Sequence, residues 1–325
     1  MREITYTAAA REALAEEMAR DASIYVVGEG IGPRGGNFYT TQGLYERYGS
    51  MRLRGTPIAE RGFIGMCTGA AMAGARPIVD FMFVDFILDA MGEIINQMAK
   101  MQYMSSGRIK MPIVLRGCIG IGKSAATHHS GSYYSMFANV PGLRVVVPTT
   151  PYDAKGLFKT AIRSDDPVIF LEHKLLLNNK GPVPEEEYTV PFGQAAVVRE
   201  GREVTVVAIA AMVQQTLQAS DTLAQEGVSV EVIDPRTLAP LDIDSILKSV
   251  RKTGRLLVVD ETPAMCGIGA EIAAQVTDLG FDDLDAPIRR LNGGQVPTPY
   301  SPPLEGALVP NAQGIAHAVR ELMAE

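Results

Sequence analysis

Cysteine is scarce in this chain. Cys67, Cys118 and Cys266 are the only three in 325 residues, an odd number at spacings that suit neither a disulfide framework nor a metal cluster. Long uncharged apolar runs are missing too: the longest are cut by Arg61, Arg76, Asp80 and Asp85, which argues against a membrane span. The N-terminal MREITYTAAAREALAEEMARD carries acids and bases through what would have to be the apolar core of a secretory signal. There is no basic patch with interleaved aromatics, and 37 acidic against 30 basic side chains give a net charge of −7, so nucleic acid is not an expected partner. A reduced, cytoplasmic protein fits all of these absences.

What is present suits a globular enzyme. With 46% hydrophobic and 21% charged residues the chain has enough apolar material for two cores of ordinary size. Helical periodicity over 7–20, 42–48, 62–75, 84–103 and 152–162 alternates with short apolar strands at 24–27, 77–81, 112–115, 144–147 and 168–171. Residues 178–191, NNKGPVPEEEYTVP, replace that rhythm with prolines and an acidic cluster and read as a linker. Beyond it strands are expected near 204–208, 229–233, 256–259 and 288–291, with helices near 214–225, 243–250, 269–277 and 312–323. The fold class is α/β: two domains, 1–185 and 190–325, each with a mostly parallel sheet covered by helices.

The most informative stretch is GTPIAERGFIGMCTGAAMAGARPIVDFMFVDF, which sets Glu60 in a nearly uncharged run at the mouth of a small-residue helix. Burial there would raise its pKa; the alternative is a carboxylate favoured by the helix dipole. Two glycine loops offer competing chemistry. Gly117 to Ser124, GCIGIGKS, satisfies the phosphate-loop pattern after a strand, and LLVVDE further on could supply an acid for magnesium, although Ser130-Gly131-Ser132 interrupts the helix that the loop should open. Gly30-Ile31-Gly32-Pro33-Arg34-Gly35 has dinucleotide-loop spacing, but Pro33 and the glycines after it do not begin a helix. The methionines of 84–103 read as core fillers.

Taken in order, GTPIAERGFIGMCTGAAMAGARPIVDFMFVDF, INQMAKMQYMSSG, GCIGIGKSAATHHSGSYYS, the long PGLRVVVPTTPYDAKGL segment, EVIDPRTLAPLDIDSILKSVRKTGRLLVVDE and CGIGAEI resemble the beta subunit of the thiamine-diphosphate-dependent first component of 2-oxoacid dehydrogenase complexes, including the acetoin dehydrogenases. The resemblance runs essentially end to end. It implies a transketolase-like pyrimidine-binding domain followed by a transketolase C-terminal domain. It also implies a shared cofactor: the chain lacks the Gly-Asp-Gly that precedes Asn-Asn in diphosphate sites, so an alpha subunit would hold the diphosphate and Mg2+, in a two-alpha, two-beta assembly on a lipoyl acyltransferase core. Potassium is a further candidate ion.

Residue by residue, the resemblance makes Glu60 the glutamate that hydrogen-bonds the cofactor's pyrimidine ring, with Ile58, Met82 and Phe86 lining that ring. His129 is matched to a histidine placed for substrate and lipoyl chemistry, its alternative being a structural loop histidine, while His128 is given no role and His173 and His317 are read as structural. The substrate would be a 2-oxoacid or acetoin, the fragment passing to lipoamide. Arg61 departs from the family pattern, since a cation facing Glu60 would lower its pKa. A catalytically silent scaffold of the same fold is the remaining alternative.

Overall fold

Strands that are apolar on both faces are stable only when helices cover both. The computed structural model, which describes residues 1–325, gathers them into two units: Met1–Ile119 with Gly131–Phe192, and Gly193–Glu325 with Gly120–Ser130.

In the first unit, parallel strands run in the order Arg144–Val146, Val168–His173, Val114–Ile119, Arg76–Phe83, Ile24–Gly28 and Leu53–Gly55. Val114–Ile119 and Val168–His173 are buried throughout. Helix Tyr6–Arg20 starts where the Thr5 side chain accepts the Ala8 N–H at 3.1 Å, and it packs on helix Pro151–Arg163, which has Pro151 in its first turn and Thr150 as cap. Between these helices lie Lys155 and Lys159, fully buried yet ion-paired with Glu12, Glu16 and Glu17.

The structure corrects two local expectations. Residues 84–103 do not form one helix: a 3-10 segment Val84–Ala90 is followed by a π segment Glu93–Met98 and a short helix Met101–Met104. The buried positions explain the change, because Val84, Ile87 and Ala90 recur every three residues, whereas Ala90, Ile94 and Met98 recur every four. A tight turn and then a wide one keep both sets facing the core. The stretch 178–191 is also not wholly irregular. Lys180–Val183 is a strand, antiparallel to Arg2–Thr5 with Arg2 opposite Val183.

The second unit has a five-stranded sheet ordered Arg289–Gly293, Leu256–Pro263, Val204–Ala208, Val230–Asp234 and Ala196–Arg199, parallel except for the last strand. Helices Met212–Gln225, Ile243–Thr253, Ile268–Gly280 and Ala312–Met323 follow the expected order. No helix is long and apolar enough to cross a membrane.

Candidate active site

Ligands of open parallel sheets bind beyond the carboxyl ends of the strands. Three neighbouring strands of the first unit deliver the candidate residues there: Ile24–Gly28 leads into Glu29, Leu53–Gly55 into Ile58 and Glu60, and Arg76–Phe83 into Met82 and Phe86. Gly28 makes the first turn feasible. It lies opposite Asp80, and a Cβ on it would fall 2.2 Å from the Asp80 carbonyl oxygen.

Glu60 opens helix Glu60–Met72 and is 8% exposed, with Ala59 preceding it and offering no side-chain cap. Its neighbour is a second acid, Glu29, near enough for the two to act on each other by charge and by hydrogen bonding. Two carboxyl groups can share such a bond only if one carries a proton. Burial first, and then the charge and hydrogen bond of Glu60, push the Glu29 carboxyl above the usual range. The sequence reading missed Glu29 because it stands immediately before the Gly30 loop, which was weighed only as a nucleotide motif. Arg61 does not oppose this arrangement. Its guanidinium is engaged by Glu93 at 2.9 Å, and its side chain is 72% exposed.

Met82 owes its placement to Asp80. A register shift between Asp80 and Phe83 puts Met82 at φ 62, where the Asp80 Oδ1 accepts its N–H at 3.1 Å while Oδ2 accepts the Thr40 hydroxyl. Phe86 follows Asp85, which accepts the Gly131 N–H at 3.0 Å. Burial, and then Asp85, raise the pKa of Tyr133, which is hydrogen-bonded to that carboxylate. Met82 and Phe86 are half-buried, whereas Ile58 is 81% exposed. Ile58 therefore lines no enclosed pocket within this chain.

His129 belongs to the other unit. It ends the 3-10 turn Thr127–His129 within Gly120–Ser130 and is half-buried, while His128 is exposed. His173 is fully buried, its Nδ1 accepting the Leu175 N–H, and His317 is exposed beside Glu321. The phosphate-loop reading is overturned. Gly117 to Ile119 still belong to strand Val114–Ile119, and no helix begins after it; Lys123 and Ser124 instead take left-handed backbone. The Gly30 loop likewise opens no helix before Leu44. No group of three or more His, Cys, Asp or Glu side chains is arranged to hold a metal ion.

Comparison with known proteins places this geometry. The transketolase pyrimidine binding domain matches residues 2–180 and the transketolase C-terminal domain residues 193–315. The chain is 44% identical over 332 residues to the acetoin:2,6-dichlorophenolindophenol oxidoreductase subunit beta of Cupriavidus necator, covering 99% of this chain and 98% of that one. It is 44% identical over 320 residues to the pyruvate dehydrogenase E1 component subunit beta of Rickettsia bellii, covering 98% of each, and 44% identical over 321 residues to the 2-oxoisovalerate dehydrogenase subunit beta of Bacillus subtilis, again covering 98% of each. A solved structure described as a split gene transketolase, inactive beta4 tetramer, shares the fold with a TM-score of 0.80 at 20% identity, covering 99% of this chain and 98% of that chain. The chain belongs to the transketolase-like family of thiamine-diphosphate-dependent oxidoreductases, among the beta subunits of the first components of 2-oxoacid and acetoin dehydrogenases.

Proposed function

We propose that this chain activates thiamine diphosphate through Glu60, on behalf of a pyruvate, branched-chain 2-oxoacid or acetoin dehydrogenase, in partnership with an alpha subunit. Residues 1–185 would be the pyrimidine-binding domain and 190–325 the C-terminal domain. The carrying observation is the carboxyl pair of Glu60 and Glu29 beyond the ends of adjacent strands. When bound, the cofactor would supply a nucleophilic carbon that adds to an oxo group and a cationic ring that takes up the electrons of the neighbouring bond as it breaks.

This chain's contribution is a proton. Glu60, buried beside Glu29 and with Arg61 turned away to Glu93, would hold or pass on a proton at its carboxyl oxygen, the work of a general acid/base. Ile58, Met82 and Phe86 supply apolar contact to the pyrimidine, the exposure of Ile58 being suited to a ring that arrives with a second subunit. The diphosphate and Mg2+ are assigned to the alpha partner, because the chain has neither Gly-Asp-Gly nor a metal-ligating cluster. No residue of this chain is assigned to a potassium ion. His129 would serve the substrate and the lipoyl group of an acyltransferase core, within a two-alpha, two-beta assembly in the cytoplasm.

The test is turnover of the assembled enzyme. Glu60→Gln should lower it by roughly 10²–10⁴-fold, the usual worth of a general acid/base. Lys123→Ala should leave it unchanged, and the chain purified alone should bind thiamine diphosphate weakly. Wild-type turnover in the Glu60 variant would sink the reading.

A further inference from the structure

The segment Gly120–Ser130 is strained. Lys123, Ser124 and Ala126 have φ of 60°, 51° and 58°, a left-handed backbone that non-glycine residues keep only where their surroundings over-determine it. Three contacts with the rest of the second unit supply that constraint. The Ile121 N–H donates to Glu261 Oε2 at 3.3 Å, the Ser124 N–H to Glu305 Oε2 at 3.1 Å, and the Thr127 hydroxyl to the Thr298 carbonyl at 3.0 Å.

Glu305 is the unusual member. It is 7% exposed, and its second oxygen, Oε1, is buried with no hydrogen-bond partner. A carboxylate taken out of water for one backbone amide is a poor device for holding its own helix. That helix is fixed by other means: Pro302 sits in its first turn, the Ser301 carbonyl accepts the Glu305 N–H at 2.8 Å, and the Leu308 carbonyl accepts the Gly294 N–H at 3.0 Å. Gly293 and Glu261 are packed so closely that a Cβ on the glycine would lie 2.0 Å from the Glu261 carbonyl oxygen. A rigid surface therefore presents one fixed acceptor to the middle of a strained loop, five residues before His129.

We propose that Glu305, supported by Glu261, is a positioning residue that holds the 120–130 loop in the conformation presenting His129 for acyl transfer to the lipoyl group. This rests on the lipoyl role proposed for His129. Removing the acceptor frees the Ser124 amide, and the left-handed residues relax toward ordinary backbone.

The experiment compares Glu305→Ala, Glu305→Gln, His129→Ala and the Glu305→Ala/His129→Ala double variant in the enzyme assembled with its alpha partner. Three readouts are taken: amide hydrogen exchange of 120–130 with strand Val204–Ala208 as the folding control, acylation of a lipoyl domain, and turnover with 2,6-dichlorophenolindophenol as acceptor. In Glu305→Ala the loop amides should exchange at least about tenfold faster while the control strand stays protected, since an amide released from its bond opens freely. Lipoyl acylation should fall to the His129→Ala value, the double variant should be no worse, and dye turnover should fall no further than it does in His129→Ala. Glu305→Gln keeps an acceptor oxygen and should restore both protection and acylation. Unchanged loop exchange overturns the proposal, as do additive losses, a loss of dye turnover beyond that of His129→Ala, or acylation that survives in Glu305→Ala. If His129→Ala alone leaves acylation intact, the lipoyl role of His129 fails first and the positioning role falls with it, whatever the exchange data show.

Discussion

Two buried clusters of glutamate in the first unit show how one residue type is turned to opposite ends. Glu17 is 1% exposed and lies among Arg20, Arg163 and Lys159, and its neighbour Glu12 faces Arg2 and Lys155. Burial works to raise Glu12, but the hydrogen bonds from Arg2 and Lys155 outweigh it and hold the carboxyl below the usual range. Glu60 is nearly as buried, yet its partner is Glu29, and the adjacent cation Arg61 is turned to Glu93. Burial and the like charge of Glu60 act in the same direction on Glu29 and raise it. Where cations are supplied, Glu12 is held as charged mortar between helices; where they are withheld, the acid pair has a place for a proton.

Three changes probe that contrast, beginning with the greatest expected effect. Lys159→Met removes a buried cation from the mortar and should cost about 2–3 kcal/mol in urea unfolding, at or just below the low end for broken buried pairs because Glu16 is partly exposed. Dye turnover per folded molecule should not change. A neutral result would mean that the helices pack without the charges.

A smaller effect separates the two clusters by pH. Glu29 has its folded pKa above the ordinary 4.5, so its contribution is complete below that value and is lost as pH rises through the raised one. Glu12 has its folded pKa below 4.5, so its contribution holds above that value and is lost as pH falls through the lowered one. Midpoints of urea unfolding against pH should therefore decline on both sides. Glu29→Gln should flatten the decline above pH 4.5 and leave the acid side intact; a change on the acid side instead would reverse the assignment. The least effect is expected from Arg61→Ala, which removes an exposed pair and should move neither the unfolding midpoint nor turnover. Lost turnover would show that Arg61 reaches the carboxyl pair after all.

Much of this was legible before any coordinates. The sheet of the second unit, its four main helices and the burial of Glu60 follow from period and composition, because buried parallel strands and amphipathic helices leave strong local signals. Signals shared by two structures misled. Apolar residues at helical spacing in 84–103 suit α, 3-10 and π windings alike, and only the packing chooses among them. Lys180–Val183 contains a proline and alternates exposed with buried residues, so its strand exists only because Arg2–Thr5 pairs with it. Ala196–Arg199 is likewise an edge strand, antiparallel and with none of its four residues fully buried. Glu29, Glu261 and Glu305 were invisible as partners because each acts on a residue distant in sequence.

The interleaving of the two units constrains how the protein can be dissected. A fragment cut at the boundary before Gly193 would leave behind eleven residues that belong to its own body, since Gly120–Ser130 packs with Gly193–Glu325. The excised piece would expose the carboxylates of Glu261 and Glu305 where backbone amides should cover them. Gene fusions, permutations and half-chain expression should therefore keep that stretch and the C-terminal half on one polypeptide, or graft the loop back in.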